Sequence, residues 1–309
     1  MQVHYGFDKL PSFKNPVVTS GTFDGVHKGH QVILKRLKEI TQKHNGESIV
    51  LTFWPHPRYI VQREKSKNLQ LLNTLEEKTN LLKHQEIDHL IVIPFTKEFS
   101  QKSSLEFIQD ILINKIKTKH LVIGYDHRFG KNREGSFDYI INHPQEFPFE
   151  INEIPRQDVD NIGVSSTKIR EALTHGKIEV ANNYLGEYYT LIGNVVTGSQ
   201  NGRKINFPTA NIEIKERFKL IPAHGVYAVE IEFNNKIHIG MLNIGIRPTL
   251  NGETPSIEVH IFGFNQDIYK QKIQLNFIAR IRNERKFENL EALKLQLEKD
   301  KESVLNIIK

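Results

Sequence analysis

The chain has 309 residues, of which 38% are hydrophobic and 25% charged, with a formal net charge of +6 and no cysteine. The absence of cysteine excludes disulfides, thiolate catalysis and cysteine-ligated zinc. No run approaches the roughly 20 apolar residues of a membrane helix, and the first residues lack the basic-then-apolar order of a secretory signal. The length favours two domains, and we expect a cytoplasmic protein without a membrane partner.

The positive charge is scattered, because lysines are interspersed with glutamates in stretches such as EIKERFK and LEKDKES. A basic stripe with interleaved aromatic residues, which would indicate a nucleic-acid partner, is not seen. Positive charge equally suits small polyanions such as nucleotides. The sequence carries no signal of oligomeric state.

The first half of the chain alternates apolar and amphipathic runs, which is typical of a parallel α/β sheet. Strands are predicted at residues 17–20, 48–53, 89–95, 120–125 and 150–155. Helices are predicted at residues 31–44, 74–82, 103–116 and 166–175. Thr74 with Glu77, and Ser103 with Glu106, form capping boxes that open two of these helices.

The pattern changes near residue 185. Strands rich in Ile, Val and Tyr are predicted at residues 188–197, 226–233, 236–244, 256–262 and 272–282. Asn234-Asn235 and Asn251-Gly252 provide hairpin turns. Closely spaced strands without intervening helices indicate a small antiparallel β-barrel, followed by one or two helices within residues 287–308. We therefore expect two domains, residues 1–185 and 186–309.

The segment GTFDGVHKGH, residues 21–30, follows the first predicted strand and leads into a helix. A glycine-containing turn lets backbone N–H groups approach an anion, and the helix dipole adds partial positive charge. His27 and His30 lie on one helical face and can reach a single triphosphate. The alternative is two ordinary surface histidines in a chain that has 14.

Further candidate segments follow strands, where ligands of open α/β sheets bind. They are FWPHPR (residues 53–58) and GYDHRFG (residues 124–130). In VSSTKIR, Ser166 and Thr167 can donate to phosphate oxygens at a helix N-terminus, and Arg170 can add a charge-assisted hydrogen bond. Plain helix capping is the alternative. No GxxxxGK[ST] sequence is present, so a P-loop is excluded.

These segments together resemble a known family. FDGVHKGH resembles the HxGH signature of nucleotidylyltransferases, and with TFWPHPR, GYDHRFG and SSTKIREAL it resembles the adenylyltransferase module of bacterial bifunctional riboflavin kinase/FAD synthetases. The resemblance implies that His27 and His30 stabilise the ATP phosphates while FMN attacks the α-phosphorus and pyrophosphate leaves. It also implies that residues 165–170 close over the triphosphate. No protein nucleophile is needed, so catalysis would rest on positioning and charge stabilisation.

The resemblance also implies which other residues of this module bind ligands. Its implied ATP-binding residues are Thr22, Phe23, Asp24, Gly25, Asp126, Ser166, Thr167 and Arg170. Its implied flavin-binding residues are Trp54 and His56.

The segment GRKINFPTAN, residues 202–211, follows a strand and a GSQNG turn. In an extended segment Thr209 and Asn211 point to the same side. A hydroxyl and an amide oxygen there are suitable ligands for Mg²⁺ beside phosphate oxygens. The alternative is a polar barrel edge.

This segment resembles the PTAN motif of riboflavin kinases, and GVYAV, NIGIRPT, IEVHIFGF and IRNERKF follow it in the family order. The resemblance implies that Glu258 is the base that takes the proton from the riboflavin 5′-hydroxyl as it attacks the γ-phosphate of ATP. The alternative for Glu258 is a solvent-facing strand residue opposite Ile257. The other implied residues are Gly202, Arg203, Lys204 and Pro208 for ATP, Thr209 and Asn211 for the metal, and Arg282 for flavin.

Several positions depart from the family pattern. Trp54 stands where we expect an acidic residue, and His127 where phenylalanine is more common. Asn206 replaces a glycine, Gly263 an aspartate and Lys270 a glycine. Aromatic rings can stack on a flavin, so the first two departures bear on substrate affinity rather than on the reaction.

The resemblance covers about residues 15–300 with two independent motif sets. It implies a Rossmann-like nucleotidylyltransferase domain and a β-barrel riboflavin kinase domain. The implied enzyme converts riboflavin and ATP to FMN, then FMN and ATP to FAD, with Mg²⁺ in each step. Loss of one activity, or a flavin-responsive regulatory protein, would predict eroded chemical residues, and these are retained.

Overall fold

The computed structural model describes residues 1–62, 69–124, 128–129, 135–136, 147–154, 163–198, 207–249 and 252–308. The chain divides into two compact units, Met1–Ser165 and Ser166–Lys309. The first has the predicted parallel sheet and the second the predicted antiparallel barrel, so the expected fold class is confirmed.

The described strands of the first unit are β1 (Gln2–Tyr5), β2 (Pro16–Ser20), β3 (Glu47–Trp54), β4 (His89–Pro94), β5 (His120–Gly124), β6 (Arg128–Phe129), β7 (Gly135–Ser136) and β8 (Glu150–Ile154). Strands β6 and β7 pair with each other, and the others form one parallel sheet in the order β1-β4-β3-β2-β5-β8. The five strands predicted here are confirmed. The central strands are continuous apolar runs because both faces of a parallel sheet are covered.

The described helices of the first unit are α1 (Lys28–Lys43), α2 (Pro57–Val61), α3 (Leu75–His84) and α4 (Ser104–Phe107), with a 3₁₀ turn at Phe99–Gln101 and a π-helix at Ile108–Lys115. Both predicted capping boxes are confirmed. The helix predicted at residues 103–116 is α4 continued by the π-helix.

Alternate residues of the strands enter two apolar cores, one on each face of the sheet. Val17 and Val50 pack with Leu34 and Leu37 of α1 in one core. The other core contains Val18 and residues of α4 and the π-helix. This packing sets the N-terminus of α1 beside the carboxyl end of β2.

The second unit contains α5 (Ser166–Thr174), α6 (Ile178–Leu185), β9 (Tyr189–Val196), β10 (Ala210–Glu213), β11 (Gly225–Phe233), β12 (Lys236–Thr249), β13 (Gly252–Ile261), β14 (Lys272–Arg282) and α7 (Leu290–Ile308). Its strands close into a barrel in the order β10-β13-β12-β11-β14-β9. The terminal region predicted as one or two helices is the single helix α7 within the described residues.

The two compact units divide between Ser165 and Ser166, whereas the predicted boundary between the two activities lies at residue 185. Helices α5 and α6 group with the barrel. Asn182 connects α6 to the barrel strands. Its Nδ2 donates to the Phe277 carbonyl at 2.8 Å, and its Oδ1 accepts from the Tyr189 backbone N–H at 2.8 Å. The assignment of residues 1–185 and 186–309 to two activities stays a prediction.

No helix within the described ranges has both the length and the apolar character needed to cross a membrane.

Candidate active sites

The loop between β2 and α1 has an unusual and well-buried backbone. Phe23, Gly25 and Val26 have φ angles of 46°, 96° and 40°. This region is costly for phenylalanine and valine, and it is maintained because the side chains of both residues are buried. The segment predicted to bind phosphate therefore has a fixed shape at the carboxyl end of β2.

His27 and His30 are in direct contact at the N-terminus of α1. Their rings are stacked with centroids 3.7 Å apart and an interplanar angle of 15°. His27 is the N-cap, and its Nδ1 accepts from the backbone N–H of His30 at 3.4 Å. Helix α1 therefore begins before the predicted residue 31, since an imidazole replaces the usual Ser, Thr, Asp or Asn cap.

His30 lies in an environment that disfavours its protonated form. Burial lowers its pKa well below the usual value, and His27 and Lys78 lower it further. Its Nδ1 is buried and has no hydrogen-bond partner in the part of the chain that the structure describes. A bound polyphosphate would act in the opposite direction and raise the pKa of His30, because nearby negative charge favours imidazolium.

A buried lysine, which the sequence reasoning missed, lies beside these histidines. Lys78 of α3 is 2% exposed, and its Nζ donates to Thr52 Oγ1 at 3.4 Å. Burial lowers the pKa of Lys78 to about 8, and Asp24 acts in the opposite direction. Its Nζ also lies 5.5 Å from the centroid of the Trp54 ring.

Asp24 connects the loop to the segment before α3. Its Oδ1 accepts from the backbone N–H groups of Leu72 at 3.0 Å and Asn73 at 3.3 Å. Thr22 contributes its carbonyl, which accepts from Thr52 Oγ1 at 3.4 Å. The predicted ATP-binding residues of this loop thus shape the site through backbone contacts as well as through charge.

The second unit brings together three of the residues predicted for the kinase site. Thr209 Oγ1 donates to Glu258 Oε2 at 3.3 Å. Asn211 of β10 is the register partner of Glu258 on β13, and Asn243 of β12 is its partner on the other side. Register partners project to the same face of a sheet, so the carboxylate, the hydroxyl and two amides are neighbours.

The row of register partners Asn211, Glu258 and Asn243 continues across the neighbouring strands of the barrel. Val226 pairs with Asn243, and Arg282 pairs with Val226. Arg282, predicted to bind flavin, donates from Nε to Asp300 Oδ1 at 2.9 Å and from Nη2 to Asp300 Oδ2 at 2.7 Å. Asp300 is 1% exposed, so this ion pair fixes α7 against the barrel.

Two further residues shape the PTAN segment. His260 Nδ1 donates to the carbonyl of Pro208 at 2.7 Å, and burial lowers the pKa of His260. A Cβ at Gly198 would lie 2.0 Å from Asn211 Nδ2, so only glycine allows this approach. Neither residue is predicted from the sequence to have a role, although Gly198 lies within the GSQNG turn and His260 within the IEVHIFGF segment.

A cavity of about 250 Å³ opens beside Pro208 and Thr209. Apolar side chains of β9 and β13 form part of its wall, and the segment after β13 forms another part. Its lining residues are Val195, Pro208, Thr209, Ala210, Val259, Ile261, Phe264, Asn265, Gln266, Asp267, Ile268 and Tyr269.

Comparison with known proteins gives one family match for each half of the chain. A family model described as FAD synthetase matches residues 10–168, and one described as riboflavin kinase matches residues 185–308. The chain belongs to the bifunctional riboflavin kinase/FMN adenylyltransferase family. Proteins of that name from Listeria monocytogenes and Escherichia coli K12 are 37% and 35% identical to it. The first match covers 93% of this chain and 91% of the relative, and the second 92% and 90%.

One solved structure is similar over nearly the whole chain. It is described as a macrolide-efflux protein from Streptococcus pneumoniae, with a TM-score of 0.88 and 29% identity. The match covers 98% of this chain and 99% of that one. The name of that protein describes efflux, whereas both family models that match this chain describe flavin enzymes.

The other predicted residues of the adenylyltransferase module lie at the N-terminus of α2 and within α5. His56 is buried and caps α2, with its Nδ1 accepting from the Arg58 backbone N–H at 3.2 Å. Ser166, Thr167 and Arg170 belong to α5 in the second compact unit. Their predicted closure over a triphosphate stays a prediction.

Some predicted positions lie outside the described residues. They are Asp126 and His127 of the GYDHRFG segment, and Gly202, Arg203, Lys204 and Asn206 before the PTAN motif.

Proposed function

We propose that the second unit phosphorylates riboflavin with ATP to give FMN and ADP. The first unit then joins FMN to the adenylyl group of a second ATP, giving FAD and pyrophosphate. The observation that carries the proposal is that one chain gathers Glu258 with Thr209, and His27 with His30, within separate units. The substrates are riboflavin, FMN and ATP, and we place both reactions in the cytoplasm.

The kinase step uses Glu258 as the general base. Its carboxylate accepts the proton of the riboflavin 5′-hydroxyl, whose oxygen attacks the γ-phosphorus while ADP leaves. The hydrogen bond from Thr209 orients that carboxylate. Proton removal by a positioned side chain contributes about 10²–10⁴-fold to a rate.

Thr209 and Asn211 supply oxygen ligands of the kind that Mg²⁺ prefers. Bound there, Mg²⁺ would offset the charge on the transferring phosphoryl group. The donor set fits the ion, because a hydroxyl, an amide and the nearby carboxylate of Glu258 are all oxygen donors.

The adenylyl transfer needs no protein nucleophile. A phosphate oxygen of FMN attacks the α-phosphorus of ATP, and pyrophosphate leaves. His27 and His30, at the positive end of α1, together with the ammonium of Lys78, stabilise the negative charge on the phosphates. The fixed loop reduces the reorganisation that this stabilisation requires.

Isotope labelling separates the two proposed reactions. With riboflavin, the label of [γ-³²P]ATP should enter FMN. With FMN supplied instead, the label of [α-³²P]ATP should enter FAD and that of [γ-³²P]ATP should leave as pyrophosphate. Labelled ADP or inorganic phosphate in place of labelled pyrophosphate would contradict the adenylyl transfer.

The Lys78→Met variant tests the buried lysine. We expect kcat/KM for FAD synthesis from FMN to fall by about 10²–10³-fold, the effect of removing one preorganised donor. Because the pKa of Lys78 is about 8, kcat/KM of the parent enzyme should decline as the pH rises above that value. The variant should lack this decline.

The same variant should unfold at a higher temperature, because burial of an ammonium costs stability. The folded pKa of about 8 lies below the reference value of 10.5, so the unfolded chain binds more protons between these values. Burial of Lys78 therefore lowers the free energy of unfolding by its full amount below about pH 8, and this cost disappears as the pH approaches 10.5.

Lys83→Met, at an exposed position of α3, is the control. Equal loss of activity in both variants would contradict the role of Lys78.

A further inference from the structure

A cluster of two histidines and a glutamate lies at the amino ends of β5 and β8. His120 is the first residue of β5, Glu150 is the first residue of β8, and the two are register partners. His44 is the C-cap of α1. One potential ligand atom from each residue lies within 4.8 Å of the others. The proposed ATP-binding loop begins at the opposite, carboxyl end of β2, so this cluster is separate from it.

The side chains face one another closely. The imidazole centroids of His44 and His120 are 3.9 Å apart. His120 Nδ1 lies 3.3 Å from Glu150 Oε2, and the His120 side chain is only 8% exposed. Two imidazoles and a carboxylate oxygen at these distances are donor atoms that one cation can share.

The backbone around the cluster is held in place. Asn15 Nδ2 donates to the carbonyl of His44 at 3.2 Å. The backbone N–H of Glu150 donates to the carbonyl of Lys119 at 2.9 Å. The Glu150 side chain is 73% exposed, so it can move relative to the buried imidazole of His120.

We propose that His44, His120 and Glu150 bind a divalent transition-metal ion of the Zn²⁺ type. Two imidazoles and a carboxylate form the three-ligand set of many zinc sites, with water completing the coordination. Nitrogen donors favour such ions over Mg²⁺ or Ca²⁺. The adjoining cleft, of about 500 Å³ and open to solvent, has room for that water.

Zinc binding would require a small contraction of the cluster. Bonds of about 2.0–2.2 Å place the ligand atoms of a tetrahedral site roughly 3.3–3.5 Å apart, and movement of Glu150 provides most of this. Lys43 and Lys119 lie nearby, so we expect weaker binding than at a thiolate site.

The bound ion would join the C-terminus of α1 to the starts of β5 and β8. Since a ligand that binds the folded state stabilises it, the melting temperature should rise with Zn²⁺ concentration. The effect requires neither flavin nor ATP, so it can be tested independently of the proposed function.

The test is calorimetric titration of the full-length, EDTA-treated protein with ZnCl₂. We expect one ion per chain. His120→Asn and His44→Gln should each weaken binding by at least the roughly 10- to 100-fold that loss of an outer-shell partner costs. Glu150→Gln, at an exposed side chain that can change without unfolding the protein, should also weaken it.

Two controls locate the site. His84→Gln changes an exposed histidine of α3, and His89→Gln changes the separate His4–His89 pair, whose ring nitrogens are 3.1 Å apart. Both should retain binding. Absence of zinc binding, unchanged binding in the His44, His120 and Glu150 variants, or loss in either control would overturn the proposal.

Discussion

Replacing Glu258 by glutamine is expected to reduce FMN formation from riboflavin strongly while FAD synthesis from supplied FMN continues. The amide keeps the shape of the side chain and can still accept a hydrogen bond from Thr209, which donates to Glu258 at 3.3 Å. It cannot take the proton of the attacking hydroxyl. We expect kcat for FMN formation to fall by about 10²–10⁴-fold, measured by chromatography of flavin products with ATP in excess.

Glu213→Gln is the matched control, because Glu213 is an exposed strand glutamate of the same barrel. It should leave both activities close to those of the parent enzyme. Near-normal FMN formation by Glu258→Gln would remove this carboxylate from the mechanism. Loss of FAD synthesis together with FMN formation would contradict the assignment of the two reactions to separate units.

Replacing His30 by alanine is expected to have the reverse effect, with FMN accumulating from riboflavin and little FAD. The change removes an imidazole stacked on His27 at the N-terminus of α1. If His30 stabilises charge on the ATP phosphates as proposed, kcat for FAD synthesis should fall by about 10²–10³-fold. The measurement is quantitative chromatography of FMN and FAD from a single riboflavin incubation.

His84→Gln serves as the control for a histidine outside the site, at an exposed position. Circular dichroism and thermal unfolding of His30→Ala would show whether the protein remains folded. Unchanged FAD output from a folded His30→Ala protein would exclude His30 from the adenylyl transfer.

The sequence predicts most of the parallel sheet because buried parallel strands are continuous apolar runs. Strand β1, with the sequence QVHY, escapes prediction because it is a partly exposed edge strand with no apolar run. The short strand β10 is missed because its Asn211 lies within a motif interpreted as a binding segment. Periodicity also cannot distinguish the π-helix Ile108–Lys115 from the α-helical continuation of α4.

The candidate sites are predictable where spacing along the chain decides proximity. His27 and His30 meet because they are three residues apart at a helix start. Lys78 reaches Thr52 only through packing of α3 against β3, which no local pattern specifies. Its one signal is that this lysine lies between Leu75 and Leu82 in the apolar stripe of α3.

The surroundings of Glu258 are likewise not predictable from the local sequence. Alternation with the buried Ile257 correctly places it on the other face of β13. Only the pairing of β13 with β10 and β12 shows that this face also carries Asn211 and Asn243. The motif order identifies the glutamate, and the sheet register explains how it is positioned.

The most direct test of the two-reaction proposal is a time course of the parent protein with riboflavin, ATP and Mg²⁺, followed by chromatography. We predict that FMN and ADP appear first, and that FMN is then converted to FAD with release of pyrophosphate. Accumulation of FMN without FAD, or failure to form FMN while supplied FMN is still converted to FAD, would contradict the assignment of both activities to this chain.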